Sequence, residues 1–417
     1  VSRAGPDALA NGMETAMDDA QYFVVPLSIQ PEGEDFLIGS AEMDEFYQVP
    51  AAGRTVVTLL QAGKTPGEIK AMLAAEGGEM VDVDDFVAML REIGFVYPVN
   101  EAHLHQERLA GRDEDKRILF RADPGIARAV FSAPVLVGYL AVVGYAGYLA
   151  LFDPALRIDR HAFFIERDLA LTLVLLLVLS SLAVALHELG HMLAAARHGV
   201  SSRLGIGNRL WNIVAEADLS GIWALPKRQR YLPLMAGMMV DLLVIALVTL
   251  AIAALRREGE TGFAIFLLQA LVLQVVVTIV WQFNLFLKTD VYYVLSNYLS
   301  YPNLDADARV YLRDCLYRVS GGRLGTSAEA PAYRSVRVLR VFSVLWIVGR
   351  IAALSLLLLV FLPTLARYAA KSYEAYRDPA ASTYTMYDLG IFVLLSAIIF
   401  VGGVYMWLRG RWAARRA

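Results

Sequence analysis

A single cysteine, Cys315, stands in a chain of 417 residues. An internal disulfide framework and a paired-cysteine metal site are both excluded, and the soluble parts suit a reducing compartment. Long runs of one charge sign are also missing. The 38 basic and 41 acidic residues nearly cancel, to a net charge of -3. No lysine- or arginine-rich block is long enough to track a nucleic acid backbone, so no nucleic acid partner is expected. The N-terminal stretch holds Asp18 and Asp19 and lacks the basic segment and apolar run of an export signal, so nothing in it points to export. Histidine is scarce, with six in all, which makes any close pair of them informative.

What the chain has in quantity is apolar sequence. Hydrophobic residues make up 57% of it and the mean hydropathy is +0.48, a composition that points to an integral membrane protein with a soluble part. Residues 127–152, 169–196, 231–255, 262–287, 341–363 and 388–408 are each long enough to cross a hydrocarbon core about 30 Å thick. Lysine and arginine concentrate in residues 197–230, in residues 288–340 and in the tail, 409–417. The positive-inside rule places these on the cytoplasmic side of the bilayer, and with an even number of spans the N-terminal region joins them. Residues 153–168, 256–261 and 364–387 then lie outside.

Residues 1–20 are small and polar and are expected to be disordered. Residues 21–99 read as a small α+β domain of winged-helix-like order. Short β-prone runs at 23–29, 35–38 and 46–49 are separated by Pro31, Gly33, Gly39 and Ser40. Three helices follow. The first, 51–61, is closed by Gly63; the second opens on Thr65 with Glu68 three residues on, a capping box; the third starts at Asp82 or Asp84 and stops at Gly94. A last strand covers 95–99. Residues 100–126 form a charged connector in which His103 and His105 are expected to be solvated.

At the end of the uncharged run 169–186 stands HELGH, with His187, Glu188 and His191. On a helix, positions i and i+4 share a face, so both imidazoles reach one metal ion while the glutamate stays free to act on water. Ionisable residues are costly inside a bilayer and are kept there for function. Because one span separates them, the second and fourth spans run in the same direction. Asp290, just past the fourth, therefore comes to the membrane face of the two histidines. Two histidines and one carboxylate leave a fourth zinc position open, as a catalytic site requires. Asp241 and Arg350, charges at matching depth in the third and fifth spans, are expected to pair in the bundle interior; the alternative is that Asp241 lines the site. Gln269, Gln274 and Gln282 read as residues that hold helices together. The β-prone segment 203–224 is a candidate edge strand for an extended substrate, or else an interfacial loop anchored by Trp211 and Trp223.

HELGH in one span with an aspartate at the end of another, two spans later, resembles the site-2 protease family of intramembrane zinc metalloproteases. With LPKRQR before the third span and N…LKTDxYYxL after the fourth, the chain is most similar to a bacterial subgroup fused to a PqqD-like domain. The stretch YQVPAAGRTVVTLLQAGKTPGEIKAML, followed by VDVDDFVAMLREIGFVYPV, resembles those PqqD-like domains, also called RiPP recognition elements, in which a leader peptide adds to a sheet edge. The resemblance implies a mainly α membrane protein whose six transmembrane helices (127–408) form a site-2 protease-like core behind a PqqD-type domain (21–99). It implies zinc held by His187, His191 and Asp290, with Glu188 as general base and acid and Asn284 holding the substrate backbone or oxyanion. The implied substrate is a peptide or membrane-associated protein, cut near the cytoplasmic leaflet of a bacterial inner membrane during maturation or export of a ribosomally made, modified peptide. Leu285 and Val291 stand where the family has proline and glycine, residues that permit irregular backbone, so the approach to Asp290 is where this chain departs. Two other readings share these residues: a non-proteolytic peptide-binding or export component that keeps the fold, and a regulatory protease cutting a membrane-anchored signalling protein.

Overall fold

The computed structural model describes residues 18–43, 45–75, 82–113, 118–156, 168–209, 212–322, 335–356, 358–359, 362–377 and 382–413. Most of the segment expected to be disordered, residues 1–17, lies outside these, as do Trp211 and the end of the basic tail, 414–417. The chain forms two compact units. One contains residues up to 119 together with 200–203 and 218–231; the other contains the rest.

In the first unit, β1 (Tyr22–Val24) pairs antiparallel with β5 (Val96–Pro98), setting Phe23 opposite Tyr97. Strands β2 (Ser28–Glu32), β3 (Asp35–Ser40) and β4 (Glu45–Val49) form a separate meander in that order. The single strand expected over 23–29 is thus two strands in different sheets. Pro31, expected as a break, lies inside β2 opposite Phe36; β2 is an edge strand, where a missing N–H is tolerated. Gly33, at φ 74°, is the first central residue of the two-residue turn between Glu32 and Asp35, a position that calls for glycine.

The helices follow the expected order. They are α1 (Ala51–Gln61), α2 (Pro66–Ala75) and α3 (Val83–Glu92). The capping box forms reciprocally: Thr65 N–H donates to Glu68 at 3.1 Å, and Glu68 N–H to the Thr65 hydroxyl at 3.3 Å. Asp82 caps α3 by accepting from Asp85 N–H. Ile38, Val56, Ile69, Leu90 and Phe95 are fully buried in the common core. The connector contributes more than charge, because α4 (His103–Asp113) packs on this unit. His103 is exposed, but His105 is buried, with the rings of Phe23 and Tyr97 each at 6.0 Å. Arg108 donates to the Ile93 carbonyl and pairs with Glu45.

The later segment of this unit holds a 3-10 turn (Ser220–Ala224) and the first residues of α8 (Lys227–Arg257). Gln30 donates to the Ala224 carbonyl at 2.8 Å. Arg230, wholly buried, pairs with buried Glu32 at 2.6 Å, its guanidinium 5.2 Å from the Trp223 ring.

The second unit carries helices long and apolar enough to cross a membrane: α6 (Ala133–Phe152), α7 (Leu169–Ala196), α8, α9 (Phe263–Trp281), α12 (Val336–Leu356) and α14 (Thr383–Ala413). The protein is a multi-pass membrane protein. The first expected span is interrupted: α5 (Pro124–Val130) ends, and α6 restarts after Ser132 with Pro134 in its first turn, where a missing N–H costs nothing. The connection expected at 364–387 holds a further helix, α13 (Leu362–Arg377). The first turn of α7 is capped from α14, since Asp388 accepts from the N–H groups of Leu169 and Ala170 at 2.8 and 2.9 Å. Helices α7 and α8 pack through small residues. A Cβ on Gly190 would meet Val240 Cγ2 at 2.6 Å and the Ala236 carbonyl at 3.0 Å.

Candidate metal centre

His187 and His191 lie one turn apart on α7, both buried, and face α8. Their Nε2 atoms are 3.1 Å apart. Asp290 Oδ2 lies 3.1 Å from His187 Nε2 and 3.2 Å from His191 Nε2. Among the described residues these three form a group that could hold a metal ion. The tautomers follow from the far side of each ring. His187 Nδ1 faces Asp241 Oδ2 at 2.9 Å and His191 Nδ1 faces the Pro233 carbonyl at 2.7 Å. Both partners are acceptors, so both Nδ1 atoms carry the hydrogen; with the rings neutral, as metal binding requires, the Nε2 lone pairs face each other and a carboxylate oxygen. Three acceptors within 3.2 Å call for a cation between them.

The spacing fits one. Tetrahedral bonds of about 2.0–2.1 Å would set ligand atoms about 3.3 Å apart. Room is left on the α8 side by Gly237, where a Cβ would stand 2.2 Å from His191 Nε2 and 2.5 Å from His187 Nε2. Any larger residue there would fill the space that the nitrogen atoms face.

Asp290 is presented by a backbone that leaves the helix and re-enters it. Helix α9 stops at Trp281, a 3-10 turn spans Leu285–Leu287, Lys288 is left-handed at φ 52°, and α10 (Asp290–Leu299) begins on Asp290 itself. A carboxylate in the first turn suits the positive end of the helix dipole. Neither proline nor glycine makes this break. Lys288 takes the left-handed conformation at a cost of about 1–2 kcal/mol, and Gln282 offsets it by accepting twice, from the Thr289 hydroxyl at its carbonyl and from Asp290 N–H at its side-chain oxygen. Leu285 and Val291 instead pack with Tyr292, with Leu304 at the start of α11 (Leu304–Val319) and with Phe342. Gln282, at the end of α9, therefore ties down the loop before Asp290 and links α9 to the first residue of α10.

Glu188 points from the same turn of α7, and its Oε2 accepts from Ala217 N–H at 2.7 Å. After β6 (Ile118–Phe120) the chain has β7 (Ser202–Arg209) and β8 (Asn212–Asp218), neighbours in a sheet, and Ala217 belongs to β8. The β-prone reading of residues 203–224 thus holds for two strands, and one of them reaches the HELGH. Asn284, the expected substrate-binding residue, lies before the 3-10 turn with its Oδ1 beside Gly349 of α12, where a Cβ would stand 3.4 Å away.

The pair expected between Asp241 and Arg350 is corrected. Among the described residues no ion pair joins them: Asp241 is buried against His187, and Arg350 lies over Trp346 at 3.9 Å and Phe286 at 5.4 Å. Equal depth in a bilayer does not put two residues on facing surfaces, and each charge found a nearer partner of its own. The alternative reading of Asp241, that it lines the site, is the one the structure supports; Gln282 stands out in the sequence for another role, and Pro233, Gly237 and Ala217 are missed. Pro233 and Ala217 act through backbone atoms and Gly237 through lacking a side chain, which no residue-type search detects. Compared with protein-family models, curated proteins and solved structures, the chain matches none.

Proposed function

We propose that this chain is a membrane-embedded zinc endopeptidase of the kind its HELGH and later aspartate resemble in the site-2 protease family. The convergence of His187 Nε2, His191 Nε2 and Asp290 Oδ2 within 3.2 Å carries the reading, because three converging acceptors, two of them on buried histidines and the third on the partly buried Asp290, repel one another unless a cation joins them. A nitrogen-rich set with one carboxylate and an open fourth position suits zinc. Once bound, zinc polarises a carbonyl and makes water acidic enough to attack near neutral pH.

The chain's own groups do the rest. Glu188 takes the proton from the attacking water and delivers it to the leaving amine, so that the peptide bond breaks into a carboxylic acid and an amine. One Glu188 oxygen is held by Ala217 N–H, which orients the other. A peptide in a helix shields its carbonyls, so the substrate is read as an extended segment lying beside β8. By the distribution of basic residues, the first unit and the C-terminal tail are cytoplasmic and the site faces the inner leaflet of a bacterial cytoplasmic membrane. The PqqD-like resemblance of residues 21–99 makes a leader peptide of a ribosomally made precursor the favoured guest of the first unit.

The test uses the full chain purified in detergent micelles. Zinc is counted by elemental mass spectrometry, and cleavage of a proteome-derived peptide library is read by mass spectrometry. One zinc per chain and cleavage that Glu188→Gln abolishes without loss of zinc is the expected result. Zinc retained with cleavage equal in wild type and Glu188→Gln would refute the catalytic assignment. Zinc bound with no cleavage by either points to a peptide-binding or export component instead.

A further inference from the structure

Helix α8 meets the two imidazoles at three positions spaced by four: Pro233, Gly237 and Asp241. On a helix these form one stripe. Along the antiparallel partner, His191 meets Pro233 and His187 meets Asp241, with Gly237 between them. The two acceptors are eight residues apart, about 12 Å along the axis, whereas the histidines are four apart, about 6 Å. The mismatch is taken up by direction. A backbone carbonyl points toward the helix C-terminus and a side chain leans toward the N-terminus, so the Pro233 oxygen and the Asp241 carboxylate approach each other and bracket both rings.

We propose that Asp241 is the positioning residue of the metal centre. It accepts from His187 Nδ1–H, fixing the ring's orientation and the tautomer that turns the Nε2 lone pair toward the ion and making that nitrogen a stronger donor; the Pro233 carbonyl does the same for His191 without a charge. This rests on the metal reading above and extends it to a residue that touches neither ion nor substrate. The geometry supports the role in two independent ways. The carboxylate is 3% exposed and its bond to His187 is 2.9 Å, and the cation expected to satisfy it, Arg350, is engaged with two aromatic rings. A buried carboxylate that, among the described residues, meets an imidazole and no lysine or arginine is costly unless that imidazole carries charge from a metal.

The experiment measures zinc affinity of the purified full chain by competition with a chromophoric chelator, and the visible absorption of the cobalt(II)-substituted protein, for Asp241→Asn, Asp241→Leu and, as control, Arg350→Met. The asparagine variant keeps shape and an accepting oxygen but no charge; the leucine variant offers no acceptor. Affinity is expected to fall about tenfold for asparagine and about 10–100-fold for leucine, with shifted cobalt bands in both and an unchanged affinity in Arg350→Met. Unchanged affinity and cobalt spectrum in Asp241→Asn, with only thermal stability of the metal-free protein reduced, would overturn the proposal and leave Asp241 a structural residue. If the leucine variant does not fold, the asparagine variant decides. Wild-type protein that takes up neither zinc nor cobalt overturns the metal reading itself, an outcome distinct from failure of the Asp241 role.

Discussion

Gly237→Ala adds one methyl group at the place where the site tolerates none. Its Cβ would stand 2.2 Å from His191 Nε2 and 2.5 Å from His187 Nε2. Ordinary contact begins near 3.4 Å, so the two nitrogens would have to retreat by about 1.2 and about 0.9 Å. Neither ring is free to do so, because Pro233 and Asp241 hold their far sides. Ligand geometry tolerates errors of only about 0.5 Å, so zinc affinity should fall by about 100-fold or more, close to 2.8 kcal/mol. Overpacking costs the metal-free protein about 1–3 kcal/mol, but alanine regains about 1 kcal/mol of helix propensity, leaving a net loss of about 2 kcal/mol or less.

The assay is thermal unfolding of the full chain in detergent, with excess chelator and then with free zinc at about 100 times the wild-type dissociation constant. Zinc then stabilises wild type by about 2.7 kcal/mol and a hundredfold weaker variant by only about 0.4 kcal/mol. Gly190→Ala serves as the control. Its Cβ meets Val240 and the Ala236 carbonyl rather than an imidazole, so it should lower stability while keeping the zinc-dependent gain. A Gly237→Ala protein with the full zinc-dependent gain would refute the reasoning.

Gln282→Ala removes the side-chain acceptor of Asp290 N–H and should weaken zinc binding about tenfold, read by the same chelator competition; unchanged affinity would mean that the loop holds Asp290 without it. Glu32→Ala leaves Arg230 buried opposite a lost partner and should cost about 3–5 kcal/mol in chemical unfolding, whereas Glu32→Leu with Arg230→Met should recover most of that. Asp388→Ala deprives two N–H groups at the start of α7 of their acceptor, a loss of about 1–2 kcal/mol by thermal unfolding. The Glu68 carboxyl is held below the ordinary carboxylate value of 4.5, first by the Thr65 backbone N–H and then by Lys64. Its folded pKa being the lower one, its contribution is present above the unfolded value and is lost as pH falls through the folded one. The stability difference between wild type and Glu68→Gln should therefore shrink on acidification from about pH 6 to about pH 3.

Local signals were legible where one residue type has one local job. The capping box at Thr65 and Glu68, the Asp82 cap and the glycines closing α1 and α3 act within a few residues of chain, and all stand as expected. Apolar length was enough to find six long helices but not their ends. The break at Phe131 and Ser132 comes just before Pro134, one residue in an apolar run, and the early stop at Trp281 precedes the turn that Gln282 holds through Thr289 and Asp290. The split of 23–29 into strands of two sheets was not legible, because strand pairing is a long-range choice: β1 needs β5, more than seventy residues away.

HELGH by itself determined that two imidazoles and a carboxylate share one helical turn, since the helical repeat places i and i+4 together whatever the surroundings. Chain order and span direction added Asp290 as a third group on the same side. Tertiary structure alone decided what makes these groups a centre: the acceptors behind each ring, the empty place of Gly237 and the turn that starts α10 on Asp290. Those are properties of one backbone lying against another at van der Waals distance. Only when α7 and α8 pack does a missing side chain become a space and a charge in mid-span acquire a partner.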